Sequence, residues 1–69
     1  MRFILVHRYI NNKEDVEITY VNIDNINTFS ACSDGKGTRI AMRDSFILVE
    51  EDTGAILNKI RWEEINSAR

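Results

Sequence analysis

The N-terminal stretch that decides the fold reads FILVHRYI and spans residues 3–10. It is rich in β-branched and aromatic residues, which favours a β-strand. Because side chains alternate along a strand, one face carries Phe3, Leu5, His7 and Tyr9, and the other carries Ile4, Val6, Arg8 and Ile10. Both faces are largely apolar, as in strands that are covered on two sides. We therefore expect a central strand, with the core on one face and either the helix or a second subunit on the other.

The residues that follow predict a hairpin and then a corner. Asparagines and charged residues fill positions 11–15, which is typical of a turn. After them, Val16, Ile18 and Tyr20 alternate with Glu17 and Thr19, so a second, antiparallel strand is expected. In the stretch 21–26 polar residues interrupt the alternation, which predicts a tight turn that places Ile26 in the core.

The middle of the chain predicts three more strands. Residues 27–32 alternate with Phe29 and Ala31 inward, and an Asp-Gly pair at 34–35 marks a hairpin turn before a strand at 38–43. The apolar FILV at 46–49 is expected to form the fifth strand. Strands at this spacing predict a small antiparallel β-meander or curved barrel of about five strands.

The last part of the chain changes to helical spacing. Asp52 or Thr53 is a candidate N-cap, and Ile56, Leu57 and Ile60 recur on one helical face. The predicted fold class is therefore α+β, with the strands followed by one C-terminal helix. At 69 residues the chain is expected to form a single domain over 1–69.

Trp62 and Ile65 do not fit the apolar face of this helix. At ~100° per residue they fall nearly opposite Ile56 and Ile60. Either the helix ends near Arg61 and the tail turns back, or one continuous helix carries a second apolar face. The second alternative exposes a large aromatic side chain unless a partner covers it, and Trp is enriched at the centres of interfaces. Trp62 and Ile65 are thus the predicted interface residues.

The composition also predicts a partner subunit. A chain of this size is marginally stable alone, and the usual supports are disulfides, metals or a partner subunit. With one cysteine, Cys32, and one histidine, His7, the chain lacks the means for an internal disulfide or a zinc site, so a homodimer is expected. A free cysteine and the lack of a secretory or membrane-spanning apolar run predict a cytoplasmic protein without membrane association.

We predict no enzyme activity, metal or cofactor. His7 has no nucleophile at a recognisable spacing, and Cys32 has no helix N-terminus beside it to activate the thiol. The segment 35–38 reads GKGT but lacks both the phosphate-loop spacing and a following helix, so it is interpreted as a turn. The acidic run at 50–52 is explained by helix capping better than by a bound cation.

Three arginines suggest an alternative function. Arg39 and Arg43 share one face of the predicted fourth strand, and Arg8 on the first strand is placed to join them in a basic patch that contacts nucleic acid. Against this, no aromatic residues are interleaved with them for base stacking, and the chain has a net charge of -2. Nucleic acid is therefore the less favoured partner.

The order of apolar segments resembles a family of short bacterial proteins. The segments VNIDNI (21–26), TRI (38–40) and FILVE (46–50), followed by Ile56 and Ile60, resemble proteins of the flagellar-operon FlbD type. That resemblance implies a compact β module with a terminal helix and no catalytic residues. The same stretch is also similar to the middle of the LytTR DNA-binding domain, but the chain lacks that domain's length and its later Arg-Ser strand.

Together these observations predict a non-enzymatic interaction or regulatory accessory module. It is expected to act as a homodimer, or with an unidentified protein partner, through the helix around Trp62. Nucleic-acid binding by Arg8, Arg39 and Arg43 is the alternative.

Overall fold

A computed structural model of the chain describes residues 2–67, without the side chain of Ser67. The order of elements is β1 (Phe3–Ile10), β2 (Asp15–Asn22), a 3₁₀ turn (Ile23–Asn25), β3 (Ile26–Ala31), β4 (Thr38–Met42), β5 (Phe46–Val49) and α1 (Thr53–Ser67). The α+β class, the five antiparallel strands and the C-terminal helix are confirmed. The predicted domain 1–69 also includes residues 1, 68 and 69, which lie outside the described part.

The sheet is curled because its two edge strands are consecutive in the chain. Its order is β2-β1-β5-β4-β3, so β2 and β3 lie at opposite edges. Across a flat sheet these strands would be ~19 Å apart, at ~4.8 Å per strand. The chain from Asn22 to Ile26 spans at most ~14 Å even when fully extended, and here it is a 3₁₀ turn. The sheet must therefore bend until its edges approach each other.

Apolar side chains fill the concave side of the sheet. Those that are buried come from β1, β2, β4, β5 and α1, namely Ile4, Val6, Val21, Ile40, Val49 and Ile56. Ile26 and Phe29 pack against them, as predicted, together with Ile60 of the helix, whereas Ala31, predicted to point inward with Phe29, is exposed. Burial of each such side chain is worth about 1.5–3 kcal/mol. With six buried apolar side chains among the described residues, the core is small.

Strand β1 is fastened to the segment between β5 and α1 by Glu51. The backbone N–H of His7 donates to both carboxylate oxygens of Glu51, at 2.9 and 3.1 Å. The Nδ1 atom of His7 lies 2.8 Å from Oε2 and donates to it, because a carboxylate can only accept. Thr38 Oγ1 donates to the Glu51 carbonyl at 2.8 Å. Burial raises the pKa of the Glu51 carboxyl, but the hydrogen bonds from His7 outweigh it and the pKa lies below its ordinary value.

The tips of the two hairpins are also joined. The turn after β1 holds Asn11, Asn12 and Lys13 at positive φ, and the Lys13 side chain reaches the β3–β4 turn. Its Nζ lies 2.7 Å from Asp34 Oδ2 and also donates to the carbonyl of Lys36. The hydrogen bond with Lys13 holds the pKa of Asp34 below its usual range. The predicted charged hairpin tip is thus tied to its neighbour.

The helix begins at Thr53, directly after its capping residue Asp52. Asp52 Oδ1 accepts a hydrogen bond from the N–H of Ala55 at 2.8 Å, which satisfies one of the free donors of the first turn. From Thr53 the helix continues without a break to Ser67. Of the two alternatives left open by the sequence, the structure has the continuous helix, which packs on β1 and β3.

Gly37 is a sensitive point of the fold. It has φ +81°, and a Cβ added there would lie 2.0 Å from the carbonyl oxygen of Val49, whereas Gly35 has φ +76° with open space around it. Gly35→Ala should cost about 1 kcal/mol for the left-handed backbone. Gly37→Ala should cost a further 1–3 kcal/mol, roughly, because the β5 backbone must move. Urea unfolding of both variants measures the difference, and equal losses would contradict the close packing.

The Glu51 contacts predict acid sensitivity. Since the folded-state pKa is lowered, the stabilisation is present above the ordinary value of about 4.5 and is lost as the pH falls through the folded value. Glu51→Gln should lower the unfolding free energy by about 1–3 kcal/mol at neutral pH, and this loss should shrink in acid. The matched control is Glu50→Gln at the exposed neighbouring position. Urea unfolding as a function of pH should show the effect for Glu51 alone.

A candidate association surface

One face of the β1–β2 hairpin forms an exposed apolar area. The ladder places Leu5 opposite Tyr20, His7 opposite Ile18 and Tyr9 opposite Val16. Residues opposite each other in an antiparallel ladder project to the same side. This convex side of the sheet faces away from the core. Ile18 and Tyr20 are 64% and 65% exposed, and Phe3 and Val16 are each 41% exposed.

The apolar side chains of β2 face solvent because the other side of the strand serves the core. There, Val21 lies opposite Ile4 and Thr19 opposite Val6. Glu17, on the same side, makes an ion pair with Arg8 at 2.8 Å. The curl of the sheet turns this side toward the core, but only Val21 is buried there, whereas Thr19 is half-buried and Glu17 is exposed. The sequence predicted the alternation of β2 but gave no sign of which side faces the core.

Trp62 extends the exposed area from the sheet onto the helix. A shallow groove of about 180 Å³ lies between α1 and the start of β1, lined by Phe3, Ile4, Leu5, Lys59, Trp62 and Glu63. Trp62 is 62% exposed beside it. We call the group Phe3, Leu5, Ile18, Tyr20 and Trp62 the outer apolar surface.

The second apolar face of the helix is present as the sequence predicted. Ile56 is buried, and Ile60 packs against the core. Trp62 lies at the flank of the helix that meets β1. Ile65 lies ~60° around the helix from Trp62, in the direction away from Ile56, and is 71% exposed. Of the two predicted interface residues, Trp62 borders the outer apolar surface, and Ile65 lies on its solvent side.

The three arginines of the alternative function have different surroundings. Arg8 is bound by Glu17, and the guanidinium of Arg39 stacks over the ring of Phe46 at 4.3 Å from its centroid. Arg43 follows the last residue of β4 and lies in the turn before β5. Arg39 is therefore on a strand and Arg43 is not, so the two do not share a strand face.

Other candidate residues take structural roles. His7 and Glu51 bind each other as described. Cys32 is half-buried at the start of the β3–β4 turn, where its N–H donates to the carbonyl of Gly37 and its carbonyl accepts from the N–H of Gly35. Residues 35–37 lie in the hairpin turn, and Thr38 is the first residue of β4. Asp52 caps the helix. Among residues 2–67, no group of three or more His, Cys, Asp or Glu side chains is placed to hold a metal ion.

No helix within the described residues has the length and apolar character needed to cross a membrane. Comparisons with protein-family models, with curated proteins and with solved structures gave no match to this chain. The geometry of the chain itself is therefore the basis for a functional proposal.

The outer apolar surface is predicted to contribute little to the stability of the single chain. Ile18→Thr keeps a β-branched residue at an exposed site and should change the unfolding free energy by less than about 0.5 kcal/mol. The same replacement at the buried Ile40 should cost about 2–5 kcal/mol. Urea unfolding at the lowest usable protein concentration compares them, because association then contributes least. A similar loss for both would mean that Ile18 is part of the core.

Proposed function

We propose that the chain is a non-enzymatic interaction module that acts as a homodimer through its outer apolar surface. The exposure of Trp62 beside Phe3 is the observation that carries the proposal. Removal of apolar area from water is worth about 25 cal/mol per Å², and Trp at the centre of an interface commonly dominates its energy. Two adjacent elements, a sheet face and a helix flank, contribute to the same surface.

The small core supports the same proposal. In the described residues the buried apolar side chains number six, while eight large apolar side chains are exposed. Five of those eight, including Val16 beside the outer apolar surface, lie on β1, β2 and the helix flank that borders them. A second copy that covers this surface would add the apolar burial that a domain of this size lacks. Closed two-fold symmetry would also prevent further growth, since the same surface is used on both copies.

The proposal also includes a cellular location and a further protein partner. We propose a cytoplasmic location for this module, because a free Cys32 is suited to a reducing compartment. The resemblance to FlbD-type proteins is consistent with a β module of this kind and adds no functional residue. A regulatory accessory role would then depend on a further protein partner. Arg8 binds Glu17 and Arg39 stacks on Phe46, so these two arginines do not support a nucleic-acid site.

Trp62→Gln tests the proposal. The wild-type chain should sediment as a dimer at sufficient concentration, and the variant should dissociate at least about thirtyfold more readily, as expected for a hot-spot residue worth about 2 kcal/mol. Phe46→Gln is the matched control, because Phe46 is a 53% exposed aromatic residue outside this surface. Sedimentation equilibrium of the three proteins gives the dissociation constants.

Two results would contradict the proposal. One is a folded wild-type chain that remains monomeric at every concentration. The other is a dimer that Trp62→Gln and Phe46→Gln weaken equally.

A further inference from the structure

The groove beside Trp62 has a positive and a negative end. Lys59 lies one turn before Trp62, and Glu63 immediately follows it, and both line the groove. At ~100° per residue they lie ~60° and ~100° from Trp62, on the same side of it. Neither takes part in an ion pair with another of the described residues. The apolar groove is thus bordered by two opposite charges that no other residue in the range 2–67 pairs.

We infer that two copies of the chain pack with their α1 helices antiparallel and crossing at Trp62. This inference rests on the proposed function, because it specifies how the homodimer is built. The two-fold axis of an antiparallel helix pair is perpendicular to the plane of the helices. Rotation about this axis places the residues that precede Trp62 in one copy beside the residues that follow Trp62 in the other copy. Both sets then lie on the same lateral side of the helix contact. Lys59 of one copy therefore meets Glu63 of the other, and the contact occurs twice.

The charges select this orientation over the parallel one. In a parallel pair the two-fold axis runs along the helices, so Lys59 and Glu63 of one copy lie on the opposite lateral side from Lys59 and Glu63 of the other, and the opposite charges are not brought together. Only the antiparallel pair sets Lys59 beside Glu63, and complementary charges that flank a helix contact are a common determinant of helix orientation. Arg2 lies near Glu63 and Glu64, but its guanidinium is 2.7 Å from Asp24 and bound to it.

The apolar residues fit the same arrangement. With the crossing point at Trp62, the two tryptophans meet at the axis, next to the Phe3 and Leu5 side chains of both copies. Ile65 lies beyond them on the solvent side, where it borders the helix contact. The predicted pair Trp62 and Ile65 therefore belongs to one helix–helix contact, and the sheet face continues it.

Charge exchange along the helix tests the orientation. Lys59→Glu and Glu63→Lys each replace two symmetry-related attractions by two repulsions, so each should raise the dimer dissociation constant roughly tenfold at low salt. The double variant Lys59→Glu/Glu63→Lys restores both attractions and should return to within about twofold of wild type. Sedimentation equilibrium measures the constants, and circular dichroism checks that each variant is folded.

The Glu63→Lys variant also separates a local contact from a general charge effect. It removes the net charge of -2, so general repulsion predicts a tighter dimer, whereas the antiparallel contact predicts a weaker one. Glu64→Lys is the matched control, because Glu64 lies ~160° around the helix from Trp62 and has the same charge. This control should leave the dimer contact unchanged or slightly tighter.

The outcomes distinguish the two levels of the proposal. A monomeric wild-type chain contradicts the homodimer itself. A dimer that Trp62→Gln weakens but neither single charge variant weakens retains the association surface and overturns the antiparallel contact. Weakening by both single variants without recovery in the double variant also overturns the pairing of Lys59 with Glu63.

Discussion

The short connection between the two edge strands is the constraint on which the rest of the structure depends. Three residues, Ile23–Asn25, join β2 to β3 although these strands lie at opposite edges of the sheet. The sheet can satisfy this connection only by curling, and curling defines a concave side, which holds the core, and a convex side. Asn22 stabilises the corner, since its side chain accepts a hydrogen bond from the N–H of Asp24.

The proposed association surface is a direct consequence of the curl. Because β5 meets β1 near Arg8, the first half of β1 is left beside the helix, and α1 covers the core between β1 and β3. Trp62 then reaches the convex side next to Phe3. The same bend that buries Ile4 and Val6 thus leaves Ile18 and Tyr20 in water.

The sequence predicted the elements well and their placement less well. Strand β1 and strand β5 were predicted with the bounds that they have, and the alternation and helical spacing are local properties that a sequence displays directly. The order of strands depends on contacts between distant residues, such as Arg8 with Val49, and no local pattern encodes it. For the same reason the sequence does not reveal the role of Glu51, because its place in the acidic run 50–52 is explained locally by the start of a helix. The exposure of Trp62 was predictable because its helical angle conflicts with that of Ile56.

The central claim is that the outer apolar surface is buried when two copies meet. Trp62 is the one tryptophan of the chain, so its fluorescence reports on this surface alone. Emission and iodide quenching should be measured over a dilution series. The account predicts that rising protein concentration shifts the emission to the blue and protects Trp62 from iodide, along a monomer–dimer binding curve. Emission that remains that of a water-exposed tryptophan at every concentration would contradict it.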